Sequence, residues 1–259
     1  MCLILLSYNR HPQYRLVVAA NRDEFYDRPT RACRFWKQHP ELLAGKDLER
    51  GGTWLGMTRS GKFCALTNFR ENISPAVSPN SRGYLVKNFL CTDISAGDYL
   101  ADLQRRRREY AGFNLIAYDR TGLFWYSNRH ADVLQLSPGW YGLSNHLLNT
   151  PWPKVEDGLQ AFRKSLAGKG KTPVPVLLDL LSDTTLPHEA RLPETGVGAS
   201  LEKMLSPMFV VSPLYGTRSS TVVLVDHSGG VTLAEQSYGH RDENVEKEGY
   251  VEYDFTLME

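Results

Sequence analysis

Hydrophobic periodicity changes character four times along this chain, and that alternation most limits what it can fold into. Residues 2–7 and 14–20 are β-prone runs separated by the turn residues Asn9 to Pro12, which predicts a hairpin. A second hairpin is expected over 54–58 and 63–67, turning at Arg59-Ser60-Gly61 and led in by Gly51-Gly52-Thr53-Trp54-Leu55-Gly56. The period then becomes helical. Leu85, Val86, Phe89 and Leu90 fall on one face over 82–91, and Ser95 caps a second helix with Asp98 three residues on. Strands return at 113–118, 122–126, 133–136 and 140–144. A second helical block runs from 153 to about 205, with Val155, Leu159, Phe162 and Leu166 as its stripe and 176–181 as a further apolar run. The end is strand-like again at 208–211, 219–225, 231–236 and 250–257. Sheets interrupted by two segregated helical blocks predict an α+β layering in one domain spanning 1–259.

Charge excludes several classes. Thirty Lys+Arg against 29 Asp+Glu leave a net charge of +1, no footprint for nucleic acid or an anionic membrane. The four cysteines, Cys2, Cys33, Cys64 and Cys91, form no C-x-x-C pair, so neither a zinc ribbon nor a disulfide scaffold is expected. The apolar start breaks at Ser7, too early for a signal peptide, and no run is long enough to span a membrane. These features predict a cytoplasmic protein; the oligomeric state is left open. No metal site is expected either: His188-Glu189 starts an H-E-x-x-H pattern, but Leu192 takes the second ligand position.

Cys2 is the most informative single residue. Removal of Met1 would put a free α-amine on the same residue as the thiol, and such an amine, titrating at about 7.7–8.0, can serve as base for its own side chain. The plainer alternative is a small apolar residue opening a buried strand. Asn21-Arg22-Asp23-Glu24, just past the second β-prone run, can orient a thiolate or bind a polar substrate group, or simply form a turn. Asn68 and Asn145 each close a β-prone run, where an amide can stabilise an oxyanion or make a turn. Arg218, in Tyr215-Gly216-Thr217-Arg218-Ser219-Ser220-Thr221, can pair with Asp23, approach the sulfur, or lie on the surface. The run Arg105 to Arg108 reads as a solvated helix end, and Trp54 and Phe124-Trp125-Tyr126 as core and pocket walls.

Taken in order, Cys2, Asn21-Arg22-Asp23-Glu24, Gly51 to Gly56, Leu66-Thr67-Asn68, Ser81-Arg82-Gly83, Gly142-Leu143-Ser144-Asn145 and Tyr215 to Thr221 resemble the NRDE family, the transport and Golgi organisation protein two family. That family in turn resembles cysteine-type N-terminal-nucleophile hydrolases. The resemblance implies a four-layer αββα sandwich and a hydrolase of amide or thioester bonds, with Cys2, Arg22, Asp23, Asn68, Asn145 and Arg218 as catalytic residues. Asn21, Glu24, Trp54, Arg70 and Arg82 would contact substrate. In the hydrolases the early Arg and Asp are usually separated by two residues, whereas Arg22 and Asp23 are adjacent, so either Asn21 or Arg22 faces the sulfur. The resemblance also implies an alternative on the same fold, a non-catalytic carrier of haem or of an acyl-coenzyme A or lipid ligand. No cofactor is required for hydrolysis; His146 would be the candidate haem ligand, and Arg22, Arg70 and Arg82 would meet coenzyme A phosphates.

Overall fold

The first hairpin forms as expected. Strand β1 (Cys2–Tyr8) pairs antiparallel with β2 (Tyr14–Phe25), and Asn9 adopts a left-handed conformation at the turn. The computed structural model describes residues 2–71, 80–168, 170, 174–241 and 244–258, with strands β1–β13 and helices α1–α5 named in chain order. These divide into two compact units. The first is Met1–Asp27, Pro138–Ser144 and Leu148–Phe255; the second is Arg28–Ser137, Asn145–Leu147 and Thr256–Glu259.

The first unit holds a six-stranded sheet. Its order is β10 (Gly139–Leu143), β1, β2, β11 (Tyr215–Asp226), β12 (Gly230–Arg241) and β13 (Asn244–Thr256). Helices α3 (Pro153–Ser165), α4 (Val174–Leu181) and α5 (Ala199–Met204) belong to the same unit. Leu3, Leu5, Val17, Ala19, Val222 and Leu224 turn one face of the sheet toward Val155, Phe162, Leu177 and Leu181, so the helical stripe read from the sequence is the covering layer of that face.

The second unit repeats the arrangement. Strands β3 (Thr30–Trp36), β4 (His39–Asp47), β5 (Leu55–Thr58), β6 (Phe63–Asn68), β7 (Phe113–Asp119), β8 (Gly122–Ser127) and β9 (Leu134–Leu136) lie in that order, each antiparallel to the next. Leu85, Val86, Phe89 and Leu90 of α1 (Gly83–Leu90) pack with Tyr99, Leu100 and Leu103 of α2 (Ala96–Arg105) over Cys64, Leu66, Leu115 and Ala117. Ser95 caps α2 by accepting from the Asp98 N–H, as its sequence implies.

Three expectations are corrected, and two strands are added where the sequence carried no expectation. β2 does not stop before the polar tetrad; Asn21 to Glu24 are strand residues. The added strands are β3 and β4. Residues 208–211 make no strand beyond one bridge from Val211 to Gly216, and β13 begins at 244 rather than 250.

The Gly51–Gly56 motif has a packing explanation. Gly51 takes φ +75°, which favours glycine, and a Cβ on Gly52 would stand 2.5 Å from the Gly83 carbonyl carbon. The first turn of α1 thus lies directly on the Gly52 backbone. Gly52→Ala must displace backbone, and we expect it to destabilise the protein by about 1–3 kcal/mol. A urea midpoint that falls at constant slope would show this; an unchanged midpoint would contradict the contact.

Candidate functional site

Strand register decides which of the early polar residues share a face. Cys2 lies directly across from Arg22, and Leu3 from Asn21, so alternation puts Arg22 on the Cys2 face and both Asn21 and Asp23 on the helix-covered face. The choice left open in the sequence is therefore made by Arg22.

Asn21 is held on its own face. Its amide donates to the Leu181 and Met208 carbonyls, each at 2.8 Å, and its oxygen accepts from the Ser220 hydroxyl at 2.6 Å. With 1% exposure, this side chain ties β2 to the 181 and 208 segments.

Asp23 is almost as deeply placed, at 2% exposure. The Thr217 hydroxyl donates to Oδ1 at 2.7 Å and itself accepts from the Val210 N–H, while the Tyr215 hydroxyl donates to the Asp23 carbonyl. Burial pushes the Asp23 carboxyl above the usual range, with Lys154, Thr217 and Arg22 acting in the opposite direction. Lys154 carries no sequence signal, since a lysine in a helix ordinarily faces water. Here it is 3% exposed, and its ammonium donates to the Leu205 carbonyl at 2.9 Å.

Cys2 is partly buried and opens β1. The Ser144 hydroxyl donates to its carbonyl at 3.0 Å, and the Asp23 backbone N–H donates to its sulfur. Burial raises the thiol pKa and the Asp23 carboxylate adds to that, while the Arg22 guanidinium pulls it down. The net rise keeps the thiol protonated at neutral pH, so nucleophilic attack from this position needs a base. Arg22 also lies 3.7 Å from Glu24, whose carboxylate accepts from the Phe25 N–H. Met1, whose removal would free the amine, lies outside the described residues.

Arg218 sits where β11 slips register between Thr217 and Ser219, and it donates to the Phe25 carbonyl at 2.8 Å. The hydroxyl of its neighbour Thr217 is what reaches Asp23, a role the sequence did not single out.

The remaining site residues belong to the second unit. The Asn145 amide, fully buried, donates to the Asn68 carbonyl at 2.8 Å, and the Arg70 N–H donates to the Asn145 carbonyl at 2.7 Å, so these three form one knot. Arg82 donates to the Gly112 carbonyl, which also accepts from the Phe69 N–H. The ring of Phe69 meets His146 at 4.9 Å between centroids, and burial lowers the His146 pKa. The Trp54 ring packs against Gly45, where a Cβ would come within 2.3 Å of it. Of the arginine run, Arg105 and Arg106 both bond Asp102 at the end of α2. Among the described residues no helix is long and apolar enough to cross a membrane.

Comparison with known proteins agrees with this architecture. The family model of Transport and Golgi organisation 2 matches residues 1–240. The human Transport and Golgi organization protein 2 homolog is 39% identical over the full length of both chains. The bovine homolog is 40% identical, covering 92% of this chain and 93% of its own. The Drosophila melanogaster protein is 28% identical over 98% of this chain and 99% of its own. Among solved structures, a Caenorhabditis elegans N-acylethanolamine-hydrolyzing acid amidase ortholog is similar with a TM-score of 0.52 at 10% identity, covering 86% of this chain and 92% of that one. That likeness is one of fold alone, an α+β fold of the αββα class. On the extent and identity of these matches, the chain belongs to the Transport and Golgi organisation 2 family.

Proposed function

We propose that this protein is a cysteine N-terminal-nucleophile hydrolase of amide or thioester bonds, active once Met1 is removed. One observation carries the reading: Cys2 opens β1 directly across from Arg22, with the Asp23 N–H on its sulfur. The nematode protein of similar fold is an amidase, which supports an acyl substrate.

The chemistry follows from the residues. The Cys2 sulfur attacks the acyl carbon while its proton passes to the Cys2 α-amine. The tetrahedral oxyanion then collapses, and the leaving amine or thiol takes that proton. Water hydrolyses the Cys2 thioester by the same route, with the amine again as base, returning the thiol and releasing the acid. Arg22 faces the sulfur and favours the thiolate as it develops. A thiol held protonated by burial makes the amine necessary.

Two outcomes test this with full-length protein lacking Met1 and a butyryl thioester of N-acetylcysteamine as probe. Cys2→Ala should lower kcat/KM by about 10³-fold or more, since no other group replaces the nucleophile. Turnover unchanged in Cys2→Ala would overturn the reading, and absence of turnover in the unsubstituted protein would overturn it in favour of the carrier alternative. That carrier would show itself as haem or acyl-coenzyme A binding indifferent to Cys2. The second outcome is a pH profile. The base works only when deprotonated, so kcat/KM should rise with pH through about 7.7–8.0, the ordinary range of an α-amine, and protein retaining Met1 should lack that limb. The same limb in protein retaining Met1 would rule out the amine as base.

A further inference from the structure

Lys154 stands in the first turn of α3, where the backbone dipole already places positive partial charge, and it is 3% exposed. A buried ammonium there carries two unfavourable terms, and the neutral Leu205 carbonyl that accepts from it balances neither.

The path of α3 shows which acidic side chain of the sheet it approaches. Gly158 packs on Leu5, where a Cβ would lie 3.3 Å from the Leu5 side chain. One turn later the Phe162 ring meets Trp140 edge-on, and Trp140 pairs with Ser7. Helix and strand therefore run in the same direction, one turn of about 5.4 Å keeping pace with two strand residues of about 6.6 Å. One turn before Gly158, Lys154 comes over Leu3, whose partner across the sheet is Asn21.

The segment from 205 to 210 completes the placement. The Leu205 carbonyl takes Lys154, the Met208 carbonyl takes Asn21, and the Val210 N–H reaches Thr217, which donates to Asp23. Lys154, Asn21 and Asp23 thus share one buried layer. Burial raises the Asp23 carboxyl, and the Lys154 ammonium is the strongest charge opposing that rise, ahead of Arg22 on β2.

We propose that Lys154 is a positioning residue, whose buried ammonium offsets the buried Asp23 carboxyl so that Asp23 can hold the Cys2 end of β1 for reaction. Asp23 accepts a hydrogen bond from the Cys2 α-amine and aims its lone pair at the thiol. The proposal rests on the nucleophile reading above and adds to it a residue on another element.

The test uses full-length protein lacking Met1, with Lys154→Met, Lys154→Arg, Asp23→Asn and the double variant Asp23→Asn/Lys154→Met. Thermal unfolding reads the pair without any substrate. Lys154→Met leaves a buried carboxylate uncompensated and should lower Tm by roughly 6–12 °C. The double variant should recover at least half of that loss. Additive losses in the double variant would overturn the pairing. For the functional role, the α-amine limb of kcat/KM with the butyryl thioester should move down by about one pH unit or more in Lys154→Met, because an Asp23 carboxyl that takes up a proton no longer favours the protonated amine beside it, and Lys154→Arg should bring its midpoint back. An α-amine limb unmoved by Lys154→Met would overturn the positioning role. Absence of turnover in the unsubstituted chain would instead overturn the nucleophile reading and the positioning role with it, while the unfolding cycle would still decide the pair.

Discussion

The pairing of β1 with β2 is the interaction on which the rest of the first unit depends. Its register holds from Cys2 opposite Arg22 to Tyr8 opposite Leu16 without a break. A slip of one residue would place Asn21 or Asp23 across from Cys2 and expose to the helical layer side chains built for the other face. Asn21 guards against that slip, because its three hydrogen bonds to Leu181, Met208 and Ser220 form only in the observed register. The alternation that sorts Leu3 and Leu5 into the helix-covered core also separates Arg22 from Asp23. The two functions of the tetrad, facing the sulfur and anchoring the strand, come from one periodicity.

Burying Asp23 is costly, and the surroundings of that carboxylate are arranged accordingly. A charged oxygen removed from water must be hydrogen-bonded and offset by positive charge. Thr217 supplies the hydrogen bond, at the register shift that also turns Arg218 toward Phe25. Lys154 supplies the charge from a helix more than a hundred residues away in sequence. The thiol beside it is pushed up by the same burial, which is why the Cys2 position calls for a base rather than a ready thiolate.

The helices were legible in the sequence because each buries a single stripe: Leu85, Val86, Phe89 and Leu90 in one unit, Val155 and Phe162 in the other. Strands β3 and β4 were not, because exposed residues interrupt them: in β3 Arg31, Ala32 and Arg34 are exposed, and the pairing with β4 shifts register twice. The apolar run Met208 to Val211 looked like a strand, yet its carbonyl and N–H groups go to Asn21 and Thr217 instead of a ladder. Cys2, Arg22 and Asp23 could be named from the sequence, but the partners that define their roles come from residues 144 to 220. Thr217 and Lys154 were invisible for that reason. Nothing local distinguishes a hydroxyl in a strand or a lysine in a helix until the fold brings Asp23 to them.

The central claim is that the Cys2 sulfur carries the acyl group. Its most direct test is tandem mass spectrometry of the protein quenched during turnover of an acyl thioester. The account predicts one added acyl mass on a peptide that begins at Cys2, in chains that have lost Met1. An acyl group found on exposed Cys91 instead, or an adduct at Cys2 in chains that keep Met1, would contradict it.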